Sequence, residues 1–187
     1  MNKDIKLYYI DKKYVRSLHN VDDNVPSVSP QIGKENRPFV GIIVLFNQRK
    51  YCIPLTSPNK KKFQSKSKID FIKVFDNRVH NQSGVSKMIA VLNINNMIPV
   101  DAIVMKQVDL RINQRDSFEV KKRKNLMINE LKWCRENYAV IQNRANKVYK
   151  LVTETPDKNR NLTKHCCKFK KLEEVLDKYV KAEGGRK

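Results

Sequence analysis

The stretch Arg37–Lys62, RPFVGIIVLFNQRKYCIPLTSPNKKK, decides the fold. Phe39–Phe46 reads FVGIIVLF, Tyr51–Leu55 is a second apolar run, and Asn47-Gln48-Arg49-Lys50 separates them. Two short apolar runs around a polar connection read as a buried antiparallel hairpin. Gly41 inside the first strand marks a bend or bulge where the sheet curls. The second strand runs out into Thr56-Ser57-Pro58 and then Lys60, Lys61 and Lys62. A pair of hydroxyls therefore stands at a rigid strand exit, a proline fixes the chain behind it, and the lysines attract a phosphate to it.

Outward from the hairpin, Lys6–Ile10 (KLYYI) is a short strand, and Asp11 is placed to cap the helix that follows, with Tyr14 and Leu18 on one face. Residues 25–38 carry Pro26, Pro30, Gly33 and Pro38 and read as a loop. Ile69–Phe75, Lys87–Asn93 and Val100–Val104 supply three further strands, the last after an Asn95–Pro99 turn. That number of short strands with a bend implies a strongly curved antiparallel sheet or small open barrel. From Asp116 the period changes: Asp116 and Glu119 form a capping pattern, and Met127, Leu131, Cys134, Tyr138, Ile141, Ala145, Val148 and Val152 recur at helical spacing. This is a long amphipathic helix with room for one break, ended by Pro156, and Phe169–Val180 is a second docked helix. The expected fold class is α+β, a single domain over 1–187 with a sheet core at 5–105 and a helical region at 116–181.

The chain of 187 residues carries 39 Lys+Arg against 19 Asp+Glu, a net charge of +20. A field this one-sided favours a polyanionic partner, because phosphates release counterions when cations replace them. No apolar run reaches about 18 residues and the start MNKDIKLYY lacks an apolar signal core, so neither a membrane span nor secretion is expected. Cys52, Cys134, Cys166 and Cys167 lack zinc-site spacing and read as reduced cytosolic thiols. There is no phosphate-binding GxxxxGK[ST] loop, no GxSxG elbow around Ser57 and no paired carboxylate motif for two-metal chemistry. No cofactor is expected. By residue type alone, Thr56-Ser57 reads first as a turn whose hydroxyls bond neighbouring amides, and the lysine runs as solvated faces.

An ordered set of landmarks resembles the ToxN/AbiQ family of type III toxin-antitoxin endoribonucleases. It comprises Lys13-Tyr14-Val15, Asp22-Asp23-Asn24-Val25-Pro26, Arg37-Pro38-Phe39-Val40-Gly41-Ile42, Tyr51, Pro54-Leu55-Thr56-Ser57-Pro58 and Asn96-Met97-Ile98-Pro99. The resemblance implies a curved sheet similar to the Kid/MazF class of toxin ribonucleases. It implies metal-independent cutting of single-stranded, adenine-rich RNA to a 2′,3′-cyclic phosphate and a 5′-hydroxyl. The partners it implies are cellular or phage mRNA and a pseudoknotted repeat antitoxin RNA, which the toxin processes and with which it closes into a protein-RNA assembly. The role it implies is phage abortive infection or plasmid maintenance, in the cytoplasm.

Residue by residue, the family's Thr-Ser-Pro pocket falls on Thr56, Ser57 and Pro58, its basic residue before the first long strand on Arg37, and its helix tyrosine on Tyr14. Asn59 stands where the family often has lysine, and Lys60 is the natural substitute. Transesterification needs the ribose 2′-hydroxyl to lose a proton, the phosphorane charge to be stabilised and the 5′-oxygen to gain a proton. Ser57 and Thr56 can orient the phosphate, Arg37 and Lys60 can neutralise it, and the base is either a lysine of lowered pKa or Tyr14. Lys61, Lys62, Lys66 and Lys68, with Lys121, Lys122, Arg123, Lys124 and Lys164, are expected to track RNA backbone. The competing class is a non-catalytic basic RNA-binding module, in which Thr56-Ser57-Pro58 is a plain turn.

Overall fold

The computed structural model describes residues 5–26, 39–41, 48–59, 63, 68–80, 84 and 86–184. Seven strands and five α-helices are defined there: β1 (Lys6–Ile10), α1 (Lys12–His19), β2 (Phe39–Gly41), β3 (Lys50–Thr56), β4 (Phe71–His80), β5 (Ser86–Asn93), β6 (Ile98–Val100), β7 (Met105–Gln107), α2 (Phe118–Glu136), α3 (Tyr138–Thr153), α4 (Arg160–His165) and α5 (Phe169–Gly184). The strands pair antiparallel in the order β4-β5-β3-β2-β1-β7, with β6 against β3, so the class is α+β. The expected hairpin pairing is present: Phe39 lies opposite Pro54 and Val40 opposite Ile53.

Strand β3 is the hub, buried along six of its seven residues. Its end pairs with β5 (Leu55 opposite Leu92, Thr56 opposite Val91), and its start pairs with β6 (Cys52 opposite Ile98, Lys50 opposite Val100). Both partners belong to one continuous chain segment along the same edge of β3, and Ile94–Asn96 are the three residues in excess of the register. They leave the ladder as a short 3-10 turn. That excursion is used: Asn95 Nδ2 donates to His165 O at 3.0 Å, Asn96 Nδ2 to Asn24 O at 2.6 Å, and Cys167 N to Asn95 O at 2.8 Å. It ties the sheet to the segment after α1 and to the junction of α4 and α5.

The fifth strand expected at Val100–Val104 is corrected by this register. The strand is Ile98–Val100, because Lys50–Cys52 offers its free edge there, and Pro99 is accommodated at a position of this short segment. Asp101 then accepts from Ile103 N at 3.1 Å and turns 102–104 into a 3-10 helix.

The helical half also differs from expectation at its cap. Asp116 Oδ2 is occupied by Lys124 Nζ at 2.7 Å and Asn113 N at 2.9 Å, so Ser117 caps α2 by accepting from Val120 N at 3.3 Å. The periodic stripe is interrupted at Asn137, whose side chain donates to Trp133 O at 2.9 Å. Met127, Leu131 and Cys134 on α2 and Ile141, Ala145, Val148 and Val152 on α3 are all buried, so the stripe is core packing. Helix α2 bonds to the sheet at two separate places: Asn129 Nδ2 donates to Asp76 on β4 at 3.1 Å, and Arg135 Nε donates to Ile5 O beside β1 at 3.2 Å. No helix among the described residues is long and apolar enough to cross a membrane.

On α2, Glu130 is buried and burial alone pushes its carboxyl up to about 8. The folded state therefore holds a proton that the unfolded chain releases near pH 4.5, the group's ordinary value. Stability from this group is fully present below that pH and is lost as pH rises toward 8. Glu130→Gln, isosteric with the neutral acid, is expected to raise the melting temperature at pH 8.5 and to leave it unchanged at pH 4.5, read by thermal denaturation at the two pH values.

Candidate active site

The two hydroxyls at the end of β3 face different surroundings. Thr56 closes the ladder opposite Val91 and is buried, its Oγ1 accepting from Asn93 Nδ2 at 2.7 Å. Ser57 follows outside the ladder and is exposed, and Pro58 and Asn59 form the turn behind it. The strand thus holds one hydroxyl in a fixed hydrogen bond and presents the next to solvent.

One aromatic within the lysine-rich stretch, Phe63, was passed over in the sequence reading. Phe63 is 1% exposed and packs edge-to-face on Phe71 at 5.2 Å, alongside Val91, the residue opposite Thr56. The signal was a lone aromatic inside KKKFQSKSK, where the charges drew the attention. Arg37, Lys60, Lys61, Lys62 and Lys66 lie outside the described residues.

Tyr14 is corrected as a candidate base. Its ring is fully buried, its hydroxyl donates to Pro99 O at 2.7 Å, and Tyr179 packs edge-on at 5.2 Å. Burial, with lesser contributions from Cys52 and Asp177, raises its pKa far above the ordinary phenol value. A hydroxyl already spent on a main-chain carbonyl in the core cannot take a proton from ribose; Tyr14 fastens α1 to β6.

The expected RNA-tracking cations divide. Lys68 is exposed just before the turn that leads into β4 and lines an open groove of about 580 Å³ with Ile69, Val140, Asn143, Arg144 and Lys147. Arg144 and Lys147, on α3, were not singled out from sequence, because isolated cations on a helix lack a run to mark them. Lys122, Arg123 and Lys164 are exposed. Lys121 and Lys124 also bond within the chain: Lys121 Nζ donates to Gln114 O at 3.0 Å, and Lys124 Nζ to Arg111 O and Asp116 at 2.7 Å each. Both brace the 111–117 segment. Cys52, Cys134, Cys166 and Cys167 are buried free thiols; burial pushes Cys166 up to about 12 and raises the others above the ordinary thiol value, so none is a thiolate.

Further from the hydroxyls, the start of β3 is clamped to α5. Glu173 Oε1 accepts from Tyr51 Oη at 2.6 Å and Tyr149 Oη at 2.8 Å, and Lys170 reaches Oε2 at 3.2 Å. Arg49 pairs with Asp177 by both guanidinium nitrogens, Nη2 to Oδ2 at 2.7 Å.

Comparison with known proteins adds what this geometry alone does not. The family model described as "Toxin ToxN, type III toxin-antitoxin system" matches residues 6–177. The chain is 34% identical over 182 residues to the endoribonuclease ToxN of Bacillus thuringiensis subsp. kurstaki, covering 95% of this chain and 86% of that one. A structure solved in work on selective toxin inhibition by a non-coding RNA pseudoknot superposes with a TM-score of 0.76 at 32% identity, over 94% of this chain and 97% of that one. A structure from work on a processed non-coding RNA that regulates a bacterial antiviral system gives 0.72 at 25% identity, over 92% and 97%. The fold, the Thr56-Ser57 strand exit and these likenesses converge: the chain belongs to the ToxN toxin family of type III toxin-antitoxin systems.

Proposed function

We propose that this chain is the endoribonuclease toxin of a type III pair, that the end of β3 is its cleavage centre, and that a pseudoknotted repeat RNA is its antitoxin. The observation that carries the reading is the pair of adjacent hydroxyls, one buried and hydrogen-bonded and one exposed, at the end of a strand buried along six of its seven residues in a chain of charge +20. Ser57 donates to a non-bridging oxygen of the scissile phosphate, and Thr56 orients it from the other side. Arg37 neutralises the growing charge bidentately and Lys60 as a point charge, in place of a lysine at Asn59. With Tyr14 committed to the core, a lysine of the 60–68 loop takes the 2′-hydroxyl proton. Attack of the 2′-oxygen on phosphorus expels the 5′-oxygen, leaving a 2′,3′-cyclic phosphate, with no metal required.

Lys61, Lys62, Lys66 and Lys68, joined by Arg144 and Lys147, carry the RNA backbone toward that centre, and Lys122, Arg123 and Lys164 extend the basic surface. The whole chain acts as one domain in the cytoplasm on single-stranded, adenine-rich RNA, its curved sheet of the Kid/MazF kind. Toxin and antitoxin RNA close into an alternating assembly, and the pair serves phage abortive infection or plasmid maintenance. Induction of the gene in a bacterial host tests this: growth arrest is expected without the antitoxin repeat, and growth is expected to recover when the repeat is transcribed beside it. Growth arrest that the cognate repeat leaves untouched would contradict the proposal.

A further inference from the structure

We infer that Asn93 is a positioning residue that sets the direction of the Thr56 hydroxyl, so that Thr56 meets its ligand only as a donor; this rests on the proposed cleavage centre. Asn93 is the last residue of β5, lies opposite Phe71 of β4, and is 6% exposed. Its Nδ2 donates to Thr56 Oγ1 at 2.7 Å, which leaves the threonine its own proton to give. Among the described residues no group accepts that proton. On the other side of the amide, Oδ1 is buried and has no hydrogen-bond partner among the described residues. A buried acceptor without a partner is a cost, and folds rarely retain one without a use.

The two orientations of the amide have opposite consequences. With Nδ2 toward Thr56, the hydroxyl proton points away from Asn93, toward an incoming anion such as a phosphate oxygen. With Oδ1 toward Thr56, the hydroxyl would donate inward and turn a lone pair on the anion, which repels it. Asn93 therefore supplies nothing to the substrate itself. It fixes which end of a two-ended group the substrate meets, and that preorganisation is where hydrogen-bond donors act on developing charge.

Three variants, Asn93→Asp, Asn93→Leu and Thr56→Val, test this, with single-turnover cleavage of an adenine-rich RNA measured against wild type at each pH. Asn93→Asp places an ionised acceptor beside Thr56 and is expected to lower the rate about 100-fold at pH 7.5, the scale of losing one preorganised donor. As pH falls and the buried carboxyl takes up a proton, it donates again and the rate relative to wild type recovers. That recovery is expected to vanish on the Thr56→Val background. Asn93→Leu, an apolar isostere suited to the strand pair, keeps the test alive if the carboxyl prevents folding: its loss and that of Thr56→Val are expected not to multiply in the double variant. Full activity of Asn93→Asp at pH 7.5, or multiplicative losses in the Leu/Val pair, would overturn the inference while leaving the cleavage centre standing. Wild-type rates in Thr56→Val would overturn both.

Discussion

Ser57→Ala is expected to lower RNA cleavage by at least about 10²-fold and to abolish growth arrest on induction, the scale of removing one preorganised donor from a developing oxyanion. The reason lies in its placement. Ser57 is exposed immediately beyond the last paired residue of β3, and no hydrogen bond of the described fold depends on its hydroxyl. The melting temperature and the affinity for antitoxin RNA are therefore expected to stay at wild-type values. A variant that is inactive, stable and still inhibitor-binding separates chemistry from folding. Full cleavage by Ser57→Ala would remove the strand exit from the mechanism.

Glu173→Ala is expected to do the reverse. The Glu173 carboxylate is the shared acceptor of Tyr51 and Tyr149 and holds the start of β3 against α5, in a core where Tyr51, Tyr149 and Phe169 pack ring to ring. Burial first, and then the bond to Glu173, raise the Tyr51 pKa far above the ordinary phenol value, so this hydroxyl remains a donor at every accessible pH. Removing its acceptor costs about 3 kcal/mol, from the desolvated donors left behind and the volume lost. For a chain of this size that lowers the melting temperature by about 10 °C. Calorimetry is expected to show this drop, and cleavage per folded molecule at 20 °C is expected to persist, because the network lies at the opposite end of β3 from Thr56. Tyr51→Phe combined with Glu173→Ala is expected to cost less than the sum of the two, since both remove one bond.

The contrast between these variants also marks what the sequence could tell. Apolar runs with period-two or helical spacing announced β1, the β2-β3 pairing, β5 and the α2-α3 stripe, because burial of one face is written directly into residue order. Asp11 was legible as a cap for the same reason: its partner, Tyr14 N, is three residues away. What stayed hidden depends on partners far along the chain. The Ile94–Asn96 excursion is a three-residue excess against a partner strand, and only the register of β3 reveals it. Glu173 and Tyr51 are 122 residues apart, and nothing local marks a glutamate on a lysine-rich helix as a core acceptor.

At the site, the strand exit was legible and the polarity of its groups was not. Thr56-Ser57-Pro58 stood out as hydroxyls at the end of an apolar run. Asn93, 37 residues on, was read only as the last residue of a strand. Tyr14 shows the opposite error. Its spacing with Leu18 already placed it on the apolar face of α1, and the family resemblance drew it toward chemistry, whereas its hydroxyl closes a core hydrogen bond. In the lysine runs, Lys121 and Lys124 reach carbonyls and a carboxylate that only folding brings within range.

The most direct measurement is cleavage of a single-stranded, adenine-rich RNA by the purified protein in excess chelator, with the product ends identified. Specific cuts bearing 2′,3′-cyclic phosphate and 5′-hydroxyl ends are expected from wild type and not from Ser57→Ala. RNA that is bound and left intact by the wild-type protein would contradict the account and make the strand exit a plain turn on a basic binding module.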